Sequence, residues 1–323
     1  MRYLLLPGLL ALSVSAALAG PTYTDPQKAD DDFAFQGEYL GTIKDGEEEK
    51  KVGIQVIALG KGKFRAVVYH HGLPGDGWDN QSDKHSVDGE RKGDAVVFDK
   101  DGITGTLKGG KLIVTAGDKQ IAELAKTERK SSTLGAKPPE GAIVLFDGTS
   151  ADAFEGGKLT EDKLLQQGCT SKRKFGSHKL HLEFRTPYQP EDSGQGRGNS
   201  GLYLQGRYEV QVLDSFGLSG EQNECGGIYS VGKPSVNMCY PPLSWQTYDV
   251  DYTAAVYEGD KLVKNPRVTV RHNGVKIHDD IELPGERNTT AAPVPAGKDP
   301  GPVYLQDHGN PVRYRNIWVV ETK

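Results

Sequence analysis

The sequence predicts an all-β protein in two parts, a small antiparallel β domain followed by a larger β-rich one. Three observations carry that prediction. Glycine supplies 41 of the 323 residues, well above the usual ~7%. The apolar residues fall in short runs divided by Gly or Asp-Gly turns, as in antiparallel hairpins. Sustained helical periodicity is missing, and the best helical candidate, 158–167, is short. Glycine and proline together stay below the ~25–30% typical of disordered chains, and no G-X-Y period or heptad pattern is present. Acids and bases are interspersed, the net charge is −5, and no basic stripe offers itself to nucleic acid.

Taken in order, residues 1–19 hold Arg2, an apolar run from Leu4 to Leu12 and Ala17-Leu18-Ala19, which fits the signal-peptide cleavage rule. The run is too short for a membrane span and is broken by Pro7 and Gly8. The mature chain is expected to begin at Gly20 and to be periplasmic or secreted. Asp30-Asp31-Asp32 reads as a solvated extension. Residues 33–129 form the first β domain. Ile54, Val56 and Leu59 precede a Gly60-Lys61-Gly62 turn, and Phe64, Ala66 and Val68 follow it. Further runs lie at 95–98, 103–107, 112–114 and 121–124, so a small sheet, sandwich or barrel is expected. Residues 130–141, with Pro138-Pro139, have the composition of a linker. Strands resume at Ile143 and run to the end. In 178–185, Leu180, Leu182 and Phe184 share one face, while His181 and Glu183 take the other. Asn273-Gly274 suits a type I′ turn pairing His272 with Val275. Three cysteines, Cys169, Cys225 and Cys239, allow one disulfide; Cys225–Cys239 closes the short loop, and three buried thiols is the alternative.

The chemistry-bearing residues concentrate in two places. On a strand through 208–212, Glu209 and Gln211 face one way, and a one-residue bulge brings Asp214 to the same side. Carboxylates across a sugar-sized gap serve glycoside chemistry as acid, base or nucleophile. A half-solvated strand with outward polar residues explains the same pattern. The second place is Gln306-Asp307-His308-Gly309-Asn310-Pro311-Val312-Arg313, where the His308 imidazole could serve as base or ligand and Arg313 can hold an oxyanion. A surface loop capped by Asp307 is the alternative. Tyr229, Tyr240 and Trp245 are stacking candidates, Trp245 fitting a core strand equally well. Weaker signals include Asp99-Lys100-Asp101-Gly102, which starts like a calcium loop but has Gly110 at the position requiring Glu, and therefore reads as a turn. His70 and His71 would point to opposite strand faces, which argues against a shared metal. No C-x-x-C zinc signature, G-x-S-x-G motif or phosphate loop occurs.

Residues 142–321 resemble the 3-keto-disaccharide hydrolase domain. The resemblance rests on Val144-Leu-Phe-Asp-Gly148, His181-Leu-Glu-Phe-Arg185, Gly198-Asn-Ser-Gly-Leu-Tyr203, Tyr208-Glu-Val-Gln-Val-Leu-Asp214, Gly227-Ile-Tyr229, Pro234-Ser-Val-Asn237, Trp245-Gln-Thr-Tyr248, 270–274 and 301–317. It implies a concanavalin-A-like β-sandwich, or jelly roll, that binds carbohydrate on a concave face. The Glu-x-Gln-x-x-Asp spacing is also similar to the Glu-x-Asp-x-x-Glu strand of laminarinase-like glucanases, but Gln211 and Asp214 depart from it and disfavour an ordinary retaining mechanism. A 3-keto sugar permits another route. The ketone acidifies the C2 proton, a base removes it, the C1 substituent leaves, and water adds back. The resemblance then implies Glu209 or His308 as base, Asp214 as acid, and Arg313 with Asn199 or Gln306 as polarisers. Substrate contacts fall to Asn199, Tyr203, Gln211, Asn237, Gln306 and Trp245. No organic cofactor is required; a divalent metal could assist at the enolate, although no compact motif demands one; and a separate sugar dehydrogenase would supply the substrate. A lectin-like glycan-binding protein on the same fold, and more distantly an envelope structural protein, are the competing readings.

Overall fold

The computed structural model describes residues 20–46, 48–78 and 84–322. The export signal expected over 1–19 lies outside them. The described residues contain no α-helix, only strands, turns and two single-turn 3₁₀ segments. None of their segments is a helix long and apolar enough to cross a membrane.

The first half closes into an eight-stranded antiparallel barrel. The chain meanders through Gly37–Asp45, Glu48–Ala58, Lys63–His70, Lys84–Lys92, Ala95–Lys100, Ile103–Lys108, Lys111–Ala116 and Lys119–Thr127. The last strand then pairs with the first, Glu38 opposite Thr127. Closure removes the open edges that a free sheet would expose. Asp101 (φ 53°) and Gly102 (φ 78°) both take the left-handed conformation of a tight hairpin turn, so the calcium-like motif is a turn as expected. Tyr39, Val56, Phe64, Val96, Leu107 and Leu124 fill the barrel core.

The second half is two antiparallel sheets packed face to face. The larger carries Ile143–Phe146, Arg313–Glu321, His178–Arg185, Gln246–Thr253, Arg267–His272 and Val275–Glu282 in that order. The smaller orders Phe154–Glu155, Cys169–Phe175, Gly301–Leu305, Ser200–Leu204 and Tyr208–Val212. Leu180, Leu182 and Phe184 from the first meet Leu202, Val210 and Val303 from the second in one shared core. Asn273 and Gly274 have φ of 52° and 84°, with His272 opposite Val275, the type I′ hairpin that the sequence specifies.

Several expectations change. Segment 158–167 is not helical: Leu165–Gln166 is a short strand pairing with Tyr314 and Arg313, and Thr160 closes a turn by donating its N–H to Leu164 O. Burial of Leu165 against the larger sheet outweighs the weak local helix preference. Asp30–Asp32 is not a solvated extension. Asp32 is buried, accepts the Gly62 N–H at 2.7 Å and pairs with Arg91 at 3.2 Å, while Asp30 accepts the Tyr188 hydroxyl. Segment 130–141 lacks strands but does not hang free. It lies as a strap over the outer face of the larger sheet, where Gly135 N–H donates to Glu183 Oε1 (2.6 Å), Thr133 Oγ1 to Asp249 Oδ2 (2.6 Å), and Asn316 Nδ2 to Ala136 O. That cover explains why His181 and Glu183, on the face that alternation assigns to solvent, are 0% and 1% exposed. The three cysteines are free and buried; Cys225 Sγ meets the Tyr248 hydroxyl at 3.2 Å, and the Cys239 thiol donates to Leu213 O at 3.5 Å. The halves are packed together: Ile57, Val67 and Tyr69 of the barrel, with Trp78 from the connection after His70, enclose Phe216 of the sandwich.

Candidate functional site

Gly201 lies directly opposite Gln211, and Tyr203 opposite Glu209, in the smaller sheet. Directly opposed residues share a face. Leu202, Val210 and Val303 point into the core, so the alternate positions Gly201, Tyr203, Glu209, Gln211 and Tyr304 turn away from it. The Gln306 N–H donates to Gly201 O and extends this row. Gly201 is essential to it. A Cβ there would sit 2.2 Å from Glu209 Oε1, so only glycine leaves room for the carboxylate.

Glu209 is 3% exposed. Tyr203 donates its hydroxyl to Glu209 Oε2 at 2.9 Å, and the same hydroxyl has a second acceptor in Thr290 O at 3.0 Å. Gln306 Nε2 donates to the Tyr203 oxygen at 3.2 Å. Burial pushes the Glu209 carboxyl up to about 7, opposed only by the Tyr203 hydrogen bond. Burial likewise raises the Tyr203 phenol. Around this pair, three buried amide oxygens have no hydrogen-bond partner among the described residues: Asn199 Oδ1, Gln211 Oε1 and Gln306 Oε1. Their nitrogens are engaged. Asn199 Nδ2 donates to Gln195 O, and Gln211 Nε2 to Gln195 Oε1. Buried polar groups without partners are exceptional and call for an explanation. Three amide oxygens and a carboxylate on one sheet face make a buried patch rich in acceptors, the chemistry that pairs with hydroxyl donors. Among the described residues, no three His, Cys, Asp or Glu side chains converge as metal ligands.

The other predicted residues are placed differently. Asp214 follows the strand, but its Oδ2 accepts from Arg197 Nε at 2.6 Å and its Oδ1 from the Phe216 N–H. Both oxygens are engaged away from Glu209. Asn237 is wholly used within the chain, donating to Ser215 O and Leu218 O and accepting from the Cys239 N–H. Arg313 starts a strand of the larger sheet, donates to Gln167 Oε1, and pairs with Gln166 and Arg185. Trp245 lies under two guanidinium groups, Arg315 at 4.0 Å and Arg185 at 5.0 Å, on the larger-sheet side. His308 is exposed on the loop that leaves Gln306, and Asp307 caps that loop by accepting the Gly309 N–H. The structure thus brings together Glu209, Tyr203, Gln211, Asn199 and Gln306, and leaves Asp214, Asn237, Arg313 and Trp245 outside that network.

Comparison with known proteins bears on this arrangement. Residues 141–320 match the family model described as the 3-keto-alpha-glucoside-1,2-lyase-like domain. The chain belongs to this family. The lyase-like domain is also similar to a crystal structure from Parabacteroides distasonis ATCC 8503 described as a "putative glycosyl hydrolase". The two are 35% identical over 57% of this chain and 85% of that one, with a TM-score of 0.51. A second structure of the same description and organism is 19% identical over 57% and 95%, with a TM-score of 0.42. No curated protein matches the chain. Family membership makes this a carbohydrate-active domain with a glycan substrate.

Sequence reasoning missed several supports of the lyase-like site. Thr289 Oγ1 accepts the Glu209 N–H, Thr290 O faces Tyr203, and Asn310 Oδ1 accepts the Asn199 N–H. Gln195 bridges Asn199 and Gln211. Thr289, Thr290 and Asn310 sit in irregular segments and Gln195 in a single 3₁₀ turn, all without periodicity. Only the Gly198-Asn-Ser-Gly201 run carried a local signal.

Proposed function

We propose that the lyase-like domain cleaves 3-keto-glucosides by elimination across C1–C2, with Glu209 as the base. The observation that carries this is a buried carboxyl whose proton affinity sits near neutral pH, in a sheet face with unpaired amide oxygens. A base of that affinity suits removal of a proton made acidic by a neighbouring ketone. Glu209 takes the C2 proton and the electron pair moves to an enolate on the C3 oxygen. The enolate then expels the C1 substituent, and water adds to the resulting enone to complete net hydrolysis. Tyr203 holds the carboxylate through its hydroxyl. It can instead donate to Thr290 O once Glu209 is protonated, so the proton is accommodated without an orphaned group. Asn199, Gln211 and Gln306 fix the sugar hydroxyls. Asp214 is committed to Arg197, which leaves His308, two residues beyond Gln306 and exposed, as the candidate acid for the leaving oxygen. The export signal read over 1–19 is consistent with a periplasmic or secreted enzyme.

The test is release of the leaving group from an aryl 3-keto-glucoside in D₂O. Elimination places deuterium at C2 of recovered substrate or product; direct hydrolysis does not. Glu209→Gln is expected to lower kcat by about 10²–10⁴. Release at one background rate by both proteins, with sugar still bound, would leave a glycan-binding protein instead.

A further inference from the structure

We propose that the N-terminal barrel is a second binding site, for a single-chain amphiphile with a carboxylate head, of the medium-chain fatty acid class. The barrel is hollow towards one end, with a cavity of about 400 Å³. That volume lies within the ~300–1,000 Å³ of small-molecule sites. An eight-stranded barrel is just wide enough either to be filled by its own side chains or to hold one small ligand. Here one end is filled, where Phe35 packs edge-on against Phe64 with ring centroids 5.9 Å apart. Further along, small residues face inward instead: Ala66, Gly105 and Ala122 line the space together with Val52, Phe98 and Leu112. These walls offer water almost no hydrogen-bonding groups, so the cavity suits an apolar occupant better than solvent.

The rim carries a different chemistry. Strand Lys63–His70 runs from the filled end, at Phe64, to the rim, at His70. His85 and Lys100 stand at the same end, with Asp101 and Ile103. The His70 and His85 rings are 5.9 Å apart. Burial, then the charges of His70 and Lys100, hold the His85 imidazole below its ordinary proton affinity. Among the described residues that line the cavity, the ones with titratable side chains are His70, His85, Lys100 and Asp101, three bases to one acid. A carboxylate seated there meets three basic groups, while its chain descends between Ile103, which is 46% exposed, and the apolar walls. Nothing in the lyase-like site uses this cavity.

The experiment is calorimetric titration of the mature full chain with dodecanoate, and with dodecanol as the uncharged control. Saturable one-to-one binding of dodecanoate is expected, with dodecanol at least about fivefold weaker. Gly105→Leu is expected to weaken dodecanoate about tenfold or more by occupying its space. A Cβ at Gly105 meets Leu112 at an ordinary 3.4 Å, so the backbone need not move. Lys100→Glu, an exposed change independent of packing, should weaken dodecanoate and leave dodecanol unaffected. Cleavage of the 3-keto-glucoside should be unchanged in both variants, which separates failure here from failure at Glu209. No saturable binding by the wild type overturns the proposal, as does equal affinity of the wild type and Lys100→Glu for dodecanoate.

Discussion

The base proposed at Glu209 would set stability against chemistry within one side chain. Its carboxyl has an ordinary value of 4.5 and is pushed to about 7 by burial. Below pH 4.5 it is neutral folded or unfolded and costs nothing. Between 4.5 and 7 the folded protein retains a proton that the unfolded chain has lost, and above 7 it carries the full penalty of a buried charge. Stability contributed by the neutral form is therefore lost as pH rises through about 7, on the order of 3 kcal/mol in all. Glu209→Gln, which cannot ionise, should match wild-type melting at pH 4 and exceed it at pH 8, while losing activity. Thermal melts across that range check this. A second outcome concerns Tyr203→Phe. The Tyr203 hydroxyl is what lowers the Glu209 affinity, so its loss should move the acidic limb of kcat/KM to higher pH and leave the alkaline plateau at a reduced rate.

At the scale of elements, the strap over the larger sheet depends on one acid–base cluster. His181 Nδ1 lies 2.7 Å from Asp249 Oδ1, and Glu183 accepts from Arg315, Asn316 and the Gly135 N–H. Burial would raise the Glu183 carboxyl, but hydrogen bonds from His181, Asn316, Arg315 and Gly135 outweigh it and hold it at about 2. Burial would lower His181, yet hydrogen bonds to Asp249 and Glu183 leave it raised above 6.5. The Glu183 contribution is complete above about 4.5 and lost as pH falls towards 2; that of His181 is complete below 6.5 and lost as pH rises through its raised value. The strap should be most firmly held between those limits. Hydrogen exchange at the Gly135 amide, corrected for intrinsic rate, should quicken on both sides of the window. Glu183→Ala strands Arg315 and two further donors and should cost about 3 kcal/mol or more in urea unfolding. None of this cluster was legible in the sequence, where 178–185 shows only the apolar Leu180, Leu182, Phe184 face. His181 and Glu183 sit on the face that a strand ordinarily gives to water. What buries them arrives from fifty residues earlier, and local periodicity carries no trace of it. The strands and hairpins were readable because turn chemistry and alternation are local, as at Asn273-Gly274. Glu209 and Gln211 were readable on the same ground, as alternate residues of one strand. Asp214 was not, because its partner Arg197 precedes the neighbouring strand, and alternation within one strand says nothing of that cross-strand pairing.

For the molecule as a whole, the question is whether the barrel and the sandwich unfold together. Phe216 is 3% exposed because barrel side chains surround it. Arg129, just before the strap, is gripped by Glu38 of the barrel through two hydrogen bonds and lies over the Tyr240 ring of the sandwich. A shared core of this kind favours one cooperative transition. Phe216→Ala removes the sandwich's main aromatic contribution to it and should cost about 3–5 kcal/mol. It should also split the calorimetric transition in two, and a single unshifted peak would show that Phe216 is not what couples the halves. Before the barrel begins, the chain is already fixed to the sandwich, Tyr23 and Tyr188 exchanging backbone hydrogen bonds at 2.9 Å in both directions. After the barrel ends, the strap fixes it again. The barrel is therefore a loop tied down at both of its ends, and a break inside it does not release either piece. Cut between Gly109 and Gly110, at an exposed hairpin tip, the polypeptide becomes two fragments that each keep a grip on the other. The molecule suits fragment complementation: the co-expressed pieces should reassemble the closed barrel beside the lyase-like domain, which lies whole in the second piece, and a reporter inserted at that tip should leave that domain undisturbed.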